Sequence, residues 1–595
     1  MLQEYSRSYK SEHDKLTRQP LWFGPPERRL FGWLHLPPSG QAAVGIVLCP
    51  SLSVEAVSAG PALRRLADLV ANAGMVALRF DYEGTGNSSG WNGDPDRVNA
   101  WKASVHHAIR FIHELGLRIG IVGLRMGGTL AASSLDETSL PVDSLVLWDP
   151  CSSGRAFLRQ QQLLSSRVIH RPARSDGAVE TLGMLFGPDT VNDLSGLRID
   201  KTIGLLASRV LVLARVDRRV DQSIAERLSL PHVTWGTVDG QSSLVDVEPF
   251  AAKIPEADLQ KIVTWLSATA SANLLPVRRE HCTRAIVSEN EHGAPVIEYP
   301  ISLAAGELFG IITDSEDNTK IGRDLTDDSF PIIVFLNAGV IDHVGPARLW
   351  VEWSRRWAAL GLRCVRFDLP GNGESSELNA QSNAPVTESN ISDHLDQVLA
   401  ELTNGNPSNA VLVGMCSGGF HAFQTARRYQ LSGICTVNPN LLINVHKCKS
   451  CADNRWKFYL TIALINIMKR LLPGRHIRSA AVERLPSSAW WIVKHLVCVD
   501  LPAMVALEVA SKGTPVFVAV NKSDARLLRL GGQFALAQAA RRGTYTVGIV
   551  DEMDHTLFGS SAREHTSELI TAYIRERFAG YRDQKCYKSR ELTDS

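Results

Sequence analysis

The sequence predicts two tandem α/β domains, each built on a mostly parallel, doubly wound sheet with a helical cap insertion. Its 595 residues exceed the roughly 250–300 that one hydrophobic core usually supports. The stretches "LRFDYEGTGNSS" (78–89) and "VRFDLPGNGESS" (365–376) share the pattern R-F-D-x-x-G-x-G-x-S-S at an offset of 287 residues. One domain has therefore been duplicated, and apolar runs alternate with amphipathic stretches in both copies, as parallel sheets require.

In the second copy, predicted strands and helices alternate along the chain. "PIIVFLNAG" (331–339) is a continuous apolar run ending in glycine, which predicts a strand covered on both faces. Helical spacing over 348–362 precedes the next strand and turn at 363–371. A second helix at 394–403 leads into the strand "AVLVG". The matching segments of the first copy are 43–50, 61–75, 76–84 and 118–123.

Domain boundaries follow from composition. The stretch "SATASANLLPVRREH" (267–281) begins with small and polar residues and continues with Leu-Leu-Pro. This composition favours a linker. The C-terminal residues have little to bury, so we expect them to be disordered. The predicted division is a polar N-terminal segment 1–19, a first domain 20–270, a linker 271–281, a second domain 282–580 with a cap at 440–512, and a tail 581–595.

Charge and cysteine content exclude several classes of protein. With 63 basic and 62 acidic residues the net charge is +1, which does not indicate a nucleic-acid partner. The N-terminus lacks the apolar region of a secretory signal, and the most lipophilic window is too short to span a bilayer, so stable membrane insertion is not expected. Ten dispersed cysteines fit reduced thiols, and the expected location is the cytoplasm.

Two stretches have the form of a strand running into G-x-X-x-G. In "VGMCSGG" (413–419) the central residue is Cys416, and the helical segment 420–430 follows it. A turn of this kind projects its central side chain at a helix N-terminus, where the dipole is expected to lower a thiol pKa. Cys416 is therefore the predicted nucleophile. Ser417 is the alternative, although it stands one place beyond the apex.

An acid and a histidine must follow the nucleophile if this turn is catalytic. The strand in "TPVFVAVNKSDARLL" (514–528) is followed by a predicted loop carrying Asp524. The strand in "TYTVGIVDEMDHTLF" (544–558) is followed by a loop carrying His555. Cys416, Asp524 and His555 form the predicted triad. Other carboxylates that could serve are Asp500, Asp551 and Asp554.

These motifs resemble the α/β-hydrolase superfamily. In the second copy "FLNAG", "RFDLPGNGES", "GMCSGG" and "DHTLF" resemble the exosortase-system-associated hydrolases, including the cysteine. In the first copy "WFGPPERRLFGWLH", "LRFDYEGTG", "VGLRMGG" and "LVLWDP" resemble the other hydrolase of that group. The resemblance implies that two backbone N–H groups form an oxyanion hole, one from Ser417 and one from Val340 or Gly339.

The first copy lacks two members of the predicted triad. Arg125 stands at its elbow, and a guanidinium cannot be deprotonated to attack a carbonyl. Asp217 matches the acid, and Ser243 stands opposite His555. We therefore expect the first domain to be a pseudoenzyme. Arg125 could bind an anion at the helix N-terminus, or it could be salt-bridged within a closed pocket.

The cap offers a candidate pocket. Its segment 456–472 is apolar nearly all round, so it either lines a greasy acyl pocket or packs against the sheet or the other domain. The C-x-x-C at Cys448 and Cys451 has only His446 nearby, too few ligands for zinc, and no metal is expected. The candidate pocket residues are Phe458, Leu464, Met468, Trp490 and Trp491.

A cysteine nucleophile favours acyl transfer, because its acyl-enzyme is a thioester that stays activated for an amine or alcohol. The leading expectation is an acyltransferase or condensing enzyme whose donor is a thioester of coenzyme A or of an acyl carrier protein. The alternatives are a thioesterase or carboxylesterase, and a non-catalytic scaffold made of two pseudohydrolases. The expected partners are a small acyl substrate, an acyl carrier protein and a second copy in a homodimer, with no resident cofactor.

Overall fold

The computed structural model describes most of both copies. The described residues are 9–10, 17–169, 174–199, 207–268, 274–277, 282–290, 293–316, 330–375, 388–439, 502–528, 533–551 and 553–579.

The first copy is built on a nine-stranded sheet in the order β1-β2-β3-β6-β5-β7-β8-β11-β12. The strands from β6 to β12 in that order are parallel, and β1, β2 and β3 form an antiparallel edge. Its strands are Tyr9–Lys10 (β1), Thr17–Phe23 (β2), Leu30–Leu36 (β3), Val44–Cys49 (β5), Val76–Phe80 (β6), Arg118–Leu124 (β7), Val142–Trp148 (β8), Ala207–Arg215 (β11) and Val233–Val238 (β12).

Two short ladders and eight α-helices complete the described part of the first copy. One ladder pairs Gln41–Ala42 (β4) with Leu275–Pro276 (β13), and the other pairs Val179–Glu180 (β9) with Leu185–Phe186 (β10). The helices are Val54–Asn72 (α1), Arg97–Glu114 (α2), Met126–Ser134 (α3), Gly154–Val168 (α4), Pro188–Gly196 (α5), Gln222–Arg227 (α6), Gln241–Val245 (α7) and Glu256–Ser267 (α8).

The second copy repeats this plan in a sheet ordered β14-β15-β16-β18-β17-β19-β20-β21-β22. The strands from β18 to β22 are parallel, and β14, β15 and β16 form the antiparallel edge. Its strands are Ala285–Glu289 (β14), Pro295–Leu303 (β15), Leu308–Ser315 (β16), Ile332–Leu336 (β17), Cys364–Phe367 (β18), Ala410–Met415 (β19), Gly433–Val437 (β20), Val516–Val520 (β21) and Tyr545–Ile549 (β22).

Helices cover both faces of this second sheet, so alternate residues of one strand enter different cores. Val334 belongs to one apolar cluster, whereas its neighbours Ile333 and Phe335 belong to the cluster on the opposite face. The described helices are Leu349–Ala359 (α9), Glu388–Leu402 (α10), Ser417–Arg428 (α11), Pro502–Ser511 (α12), Lys522–Leu528 (α13), Gln533–Arg541 (α14) and Ser560–Ile574 (α15).

The predicted fold class is confirmed, and several helix boundaries differ from expectation. Helix α1 begins at Val54 and runs through Pro61, where the sequence pattern had placed its start. The final helix α15 begins at Ser560, seven residues before the helical stretch "SELITAYIRERF" (567–578) that the sequence pattern predicts. Its first turn is held by Glu180 of the first copy, whose Oε1 accepts the N–H of Ser560, a contact between chain segments that are far apart in sequence.

The two copies pack together through their antiparallel edges and the turns that follow β6 and β18. Trp33 of the first copy lies edge-on to Phe309 of the second, with ring centroids 4.7 Å apart. Both belong to one buried cluster that contains residues of both sheets. In the turns, Gly86 and Gly373 have φ of +47° and +46°, and a Cβ on either would lie 2.1 Å from the carboxylate of its own domain's R-F-D aspartate.

Candidate active site

Cys416 stands at a strained turn between a strand and a helix. Strand β19 ends at Met415 and helix α11 begins at Ser417, so Cys416 alone makes the turn, with φ 52° and ψ −112°. A positive φ is uncommon for a residue with a side chain and marks local strain. The turn is fixed by the Cys416 N–H, which donates to the carbonyl of Val437 at 3.1 Å.

Flanking glycines allow this turn to close. A Cβ on Gly414 would lie 2.3 Å from the carbonyl carbon of Gly418. A Cβ on Gly418 would lie 2.6 Å from the carbonyl oxygen of Asn337, at the end of β17. Both distances are shorter than real contacts, so the G-x-C-x-G spacing is a packing requirement of the turn.

The thiol of Cys416 is half-buried, and its pKa differs from the expectation. Burial raises the pKa of this thiol, and the backbone N–H of Ser417 offsets that rise only in part. The sequence-based expectation of a lowered thiol pKa is therefore wrong, because desolvation of the thiolate outweighs the hydrogen bond from the Ser417 N–H. Cys416 consequently needs a base to become a nucleophile.

The loop after β17 lies against the elbow. The N–H of Gly339 donates to Ser417 Oγ at 2.8 Å, so this hydroxyl ties the two loops together. The next residue, Val340, is 51% exposed, and no hydrogen bond within the described part of the chain engages its N–H. Of the two residues proposed as second oxyanion donor, Val340 therefore has the available N–H.

Asn337 and Asp368 hold this loop in shape. Asn337 Nδ2 donates to the carbonyl of Ile341 at 2.9 Å, and Asn337 Oδ1 accepts the N–H of Leu369 at 2.7 Å. Asp368 accepts from both the backbone N–H and Nδ1 of His343, at 2.6 and 2.8 Å. The side chains of Asn337, His343 and Asp368 are buried, so this loop is fixed by satisfied hydrogen bonds in the interior.

Asp524 lies in the first turn of a helix rather than on the predicted loop. Asn521 Oδ1 accepts the N–H of Asp524 at 2.7 Å, and Asn521 Nδ2 donates to Asp524 Oδ2 at 3.1 Å. Asn521 thus acts as an N-cap for helix α13, which explains why the chain turns helical directly after β21.

His555 is exposed on the loop that follows β22. Asn438, directly after β20, donates its Nδ2 to the carbonyl of His555 at 3.1 Å. Cys416 packs against the apolar cluster that contains Met553 and Leu557, on either side of this histidine. The three predicted triad residues therefore follow the carboxyl ends of three parallel strands, β19, β21 and β22, of which only the last two are neighbours. Among the described residues, however, no hydrogen bond joins His555 to Cys416 or to Asp524.

Asp554 has a structural role in this loop. Its carboxylate accepts the N–H groups of Thr556, Phe558 and Gly559 at 3.1, 2.9 and 2.8 Å. A carboxylate engaged by three backbone donors shapes the loop and is poorly placed to orient an imidazole. Asp551 is exposed, and Asp500 lies outside the described residues.

At the first-copy elbow, Arg125 adopts almost the same backbone conformation as Cys416, with φ 52° and ψ −121°. Its guanidinium is buried and forms ion pairs with Glu55 and Asp149, both at 3.2 Å. Glu55 is fully buried and also accepts from Ser51 and Gln161. Of the two expectations for Arg125, the structure therefore shows the salt-bridged one. The Arg125 guanidinium pairs with carboxylates of its own domain.

The two other degenerate positions are also engaged locally. Asp217 accepts two hydrogen bonds from Arg215, at 2.8 and 2.7 Å, and this contact lowers the pKa of Asp217 to about 2. Ser243 lies in helix α7 and donates to the carbonyl of Gly240 at 3.0 Å. Within the described part of the chain, no hydrogen bond or ion pair joins Asp217, Ser243 and Arg125 to one another.

Sequence reasoning missed four residues that organise the site. Asn337, His343 and Asp368 fix the loop that carries Val340, and Asn438 holds the His555 loop. The available signal was the R-F-D motif, which both copies keep although their elbows differ. A motif retained in both copies indicates a shared structural requirement, here the aspartate that accepts N–H groups within its own turn.

Several predicted residues lie outside the described residues. They are the pocket candidates Phe458, Leu464, Met468, Trp490 and Trp491, together with the C-x-x-C cysteines Cys448 and Cys451. Within the described ranges, the helices are all too short or too polar to cross a bilayer.

Solved structures that are similar to part of this chain include two esterases and a proline iminopeptidase. No curated protein sequence matches the chain. Est1E from Butyrivibrio proteoclasticus is similar in structure, with 12% identity and a TM-score of 0.30, over 42% of this chain and 97% of that one. An esterase from Pyrococcus furiosus has 14% identity and a TM-score of 0.31, over 43% and 91% of the two chains. Proline iminopeptidase from Mycobacterium smegmatis has 14% identity and a TM-score of 0.31, over 42% and 98%.

The family comparison concerns the second copy. Residues 333–576 match the model of the alpha/beta hydrolase family, a range that begins in β17 and includes the elbow and the His555 loop. Both sheets have the strand arrangement expected of that fold. Residues 333–576 are thus similar to the alpha/beta hydrolase family, and an α/β domain whose sheet has the same strand order precedes them.

Proposed function

We propose that the second domain is a cysteine-dependent acyl-transfer enzyme that carries its acyl group on Cys416. The observation that supports this best is the elbow itself, since a strained φ of 52° is maintained at a cysteine that two close-packed glycines surround. The first copy keeps almost the same backbone conformation at Arg125, so the feature that sets the second elbow apart is the thiol that this turn presents. The exosortase-associated resemblance is part of the same proposal.

In this reaction His555 removes the proton from the Cys416 thiol, which attacks the carbonyl carbon of a thioester donor. The bond from that carbon to the donor sulfur breaks, and His555 returns the proton to the leaving thiol. An amine or alcohol then attacks the new thioester, and its proton passes through His555 to the sulfur of Cys416. Asp524 is proposed to orient the imidazole.

The oxyanion is proposed to be held by the N–H groups of Ser417 and Val340. The Val340 N–H is unengaged within the described part of the chain, and Ser417 directly follows the nucleophile at the start of a helix. Each such donor typically lowers the barrier by about 3–4 kcal/mol. The missing contact from His555 to the thiol is compatible with catalysis, because catalytic hydrogen bonds often tighten only when substrate binds.

The first domain is proposed to be a pseudoenzyme. The buried Arg125–Glu55 ion pair takes the place that a nucleophile would need, and Ser243 in helix α7 cannot act as a base. The remaining role of the first domain is to pack against the second domain. The cytoplasm is the location that fits a free catalytic thiol best.

Simple hydrolysis of a thioester or ester is the second candidate, and the family match of residues 333–576 favours it. A double pseudohydrolase scaffold is the third candidate, favoured by the raised pKa of the Cys416 thiol. The three candidates differ in the fate of the acyl group. An amine or alcohol takes it in acyl transfer, water takes it in hydrolysis, and the scaffold never acquires it.

The test is a product analysis of the full-length protein incubated with acyl thioesters, with and without an amine or alcohol acceptor. Acyl transfer to the acceptor that is lost in Cys416→Ala and His555→Ala supports the proposal. Asp524→Asn should slow it, whereas Asp551→Asn is the matched control. Release of free acid regardless of acceptor would establish the hydrolase instead, and consumption of no thioester would support the scaffold.

A further inference from the structure

The turn after β6 of the first copy contacts the loop of the second copy that carries Val340. Asn87 in this turn and His343 in that loop are both buried, and Asn87 Nδ2 lies 3.0 Å from His343 Nε2. Asn337 and His343 stand at the two ends of the segment 338–342, and Val340 lies in its middle. The first domain therefore contacts one end of the loop that is proposed to supply an oxyanion donor.

Arg366 fixes the orientation of the Asn87 amide. Arg366 Nη1 donates to Asn87 Oδ1 at 2.7 Å, and because a guanidinium can only donate, the atom that faces it must be the amide oxygen. The amide nitrogen is then the atom that faces His343, and an amide nitrogen can only donate as well. His343 Nε2 therefore accepts this hydrogen bond, which requires the neutral imidazole with its proton on Nδ1.

Asp368 binds the other side of the same imidazole. The Nδ1–H of His343 donates to Asp368 Oδ2 at 2.8 Å, and the backbone N–H of His343 donates to Asp368 Oδ1 at 2.6 Å. Asp368 Oδ1 also accepts from Asn337 Nδ2 at 3.2 Å. A continuous chain of buried hydrogen bonds thus runs from Asn87 through His343 to Asp368, and it includes both ends of the loop.

The equivalent position of the first copy lacks such a contact among the described residues. The G-P-A repeat has an offset of 285 residues between the copies, which aligns His343 with Ser58. Ser58 is buried, and its hydroxyl has no hydrogen-bond partner in the described part of the chain. Glu374, which corresponds to Asn87, pairs with Arg79 instead. The contact is therefore present at the copy whose elbow carries a cysteine.

We propose that Asn87 is a positioning residue for the second active site and acts through His343 on the loop that presents the Val340 N–H. The inference rests on the proposed function, since it concerns the oxyanion donor of that reaction. An oxyanion donor lowers the barrier only when it points to the place where charge develops. A shift of this loop by about 1 Å is therefore expected to lower the rate by up to about a hundredfold.

The first test is hydrogen–deuterium exchange of the full-length protein, read by mass spectrometry. Asn87→Ala removes the donor to the imidazole and should raise deuterium uptake in peptides that cover 338–345. Peptides that cover the elbow, 413–419, should exchange as in the parent. Asn99→Ala is the matched control, because Asn99 is exposed in the same copy and donates to Asp96. Unchanged uptake at 338–345 in Asn87→Ala overturns the proposal.

The second test compares acyl loading of Cys416 from an acyl thioester with alkylation of the same thiol by iodoacetamide. Alkylation forms no oxyanion, so it should proceed in Asn87→Ala at the rate of the parent. Acyl loading at saturating thioester should fall about ten- to a hundredfold, with little change in the half-saturating concentration, because the oxyanion contact acts in the transition state.

The outcomes of these two tests separate the inference from the proposed function. Equal losses in loading and alkylation, or normal loading beside raised exchange at 338–345, would make the Asn87 contact structural only and overturn the proposal. A parent protein that takes no acyl group contradicts the proposed function, and the exchange experiment then decides alone whether Asn87 holds the loop.

Asn87→Asp is the second variant, in case the alanine variant folds poorly. It keeps the shape of the side chain and the acceptor for Arg366, but it presents only an oxygen to His343. One proton restores the contact, either on the imidazole or on the introduced carboxyl group. The rate of acyl loading in Asn87→Asp relative to the parent should therefore rise as the pH falls. A ratio that does not change with pH overturns the proposal.

The charged groups around His343 are the same in the parent and in this variant. Burial lowers the pKa of His343, but the charges of Asp368 and Asp342 outweigh this effect and raise it above its usual value. Arg366 and Asp81 are the other charged groups that act on this imidazole. Because these groups are common to both proteins, the ratio of their rates reports the exchanged side chain at position 87.

Discussion

Arg79 of the first copy and Glu374 of the second form a bidentate ion pair, with N–O distances of 2.9 and 3.0 Å. The equivalent arginine of the second copy, Arg366, donates to Asn87 Oδ1 of the first at 2.7 Å. Asn87 and Glu374 both stand six residues after the aspartate of the R-F-D motif. Each copy therefore reaches into the same turn of the other, which is how identical subunits meet in a two-fold dimer.

Glu374→Gln is expected to destabilise the protein by about 3–5 kcal/mol, because it leaves Arg79 without its buried partner. Urea unfolding of the full-length chain measures this change. Arg65→Gln is the matched control, since it removes the exposed Arg65–Glu256 pair and should cost at most about 1 kcal/mol. Equal effects of the two substitutions would contradict the role given to the Arg79–Glu374 pair.

The same pair predicts a pH dependence of stability. Burial raises the pKa of Glu374, but the charges of Arg79 and Arg64 outweigh this effect and bring that pKa down from 4.5 to about 2. The stabilisation is therefore complete above pH 4.5 and is lost as the pH falls toward 2, at about 1.4 kcal/mol per pH unit. Between pH 5 and 3 the parent should lose more unfolding free energy than Glu374→Gln. Parallel losses in both proteins would show that Glu374 is not the titrating group.

Arg125→Met should destabilise the first domain by about 3–5 kcal/mol, because it leaves the fully buried Glu55 without its cation. Glu55→Gln in the same chain should recover part of that loss, and a double-mutant cycle of unfolding free energies measures the coupling. Additive effects would mean that the two side chains do not interact as the structure shows.

Gly418→Ala is expected to abolish acyl loading of Cys416, since the added Cβ would lie 2.6 Å from the carbonyl oxygen of Asn337 and displace the elbow. Intact-protein mass after thioester incubation provides the readout. Gly60→Ala is the control, because its Cβ would meet no atom within 4 Å and the change favours helix α1. Normal loading in Gly418→Ala would remove the packing argument for the elbow.

Glu180→Ala tests whether the first copy supports the His555 loop. Glu180 Oε1 accepts the N–H of Ser560, so its loss should cost about 1 kcal/mol at the start of helix α15. We also expect slower acyl loading and an altered pH profile, because that helix begins five residues after His555. Glu180→Gln keeps an acceptor oxygen and should behave more like the parent. An unchanged rate and pH profile in Glu180→Ala would limit this contact to stability.

The sequence predicted the fold and the elbow because both depend on local patterns. Apolar runs ending in glycine placed strands such as β17 and β19, and G-x-C-x-G placed the turn at Cys416. The helix at Asp524 was missed, although Asn521 three residues earlier offered a capping signal. The order of Cys416, Asp524 and His555 along the chain also placed them after parallel strands at one sheet edge.

Contacts between the copies could not be predicted in the same way. The Arg79–Glu374 pair and the Glu180–Ser560 contact join residues separated by 295 and 380 positions, and no local pattern encodes such pairings. The raised pKa of the Cys416 thiol depends on how far the packed loops bury it. Helix position alone predicted the opposite direction, because it ignores desolvation.

The central claim is that Cys416 carries the acyl group. The most direct measurement is peptide mapping of the full-length protein after brief incubation with an acyl thioester, in the parent, Cys416→Ala and Cys282→Ala. Cys282 is the other described cysteine that is not buried, so it controls for nonspecific transfer to an accessible thiol. The account predicts an acyl group on the peptide containing Cys416, absent in Cys416→Ala and retained in Cys282→Ala. Acylation of Ser417 or Cys282 in its place, or no acylated peptide at all, would contradict it.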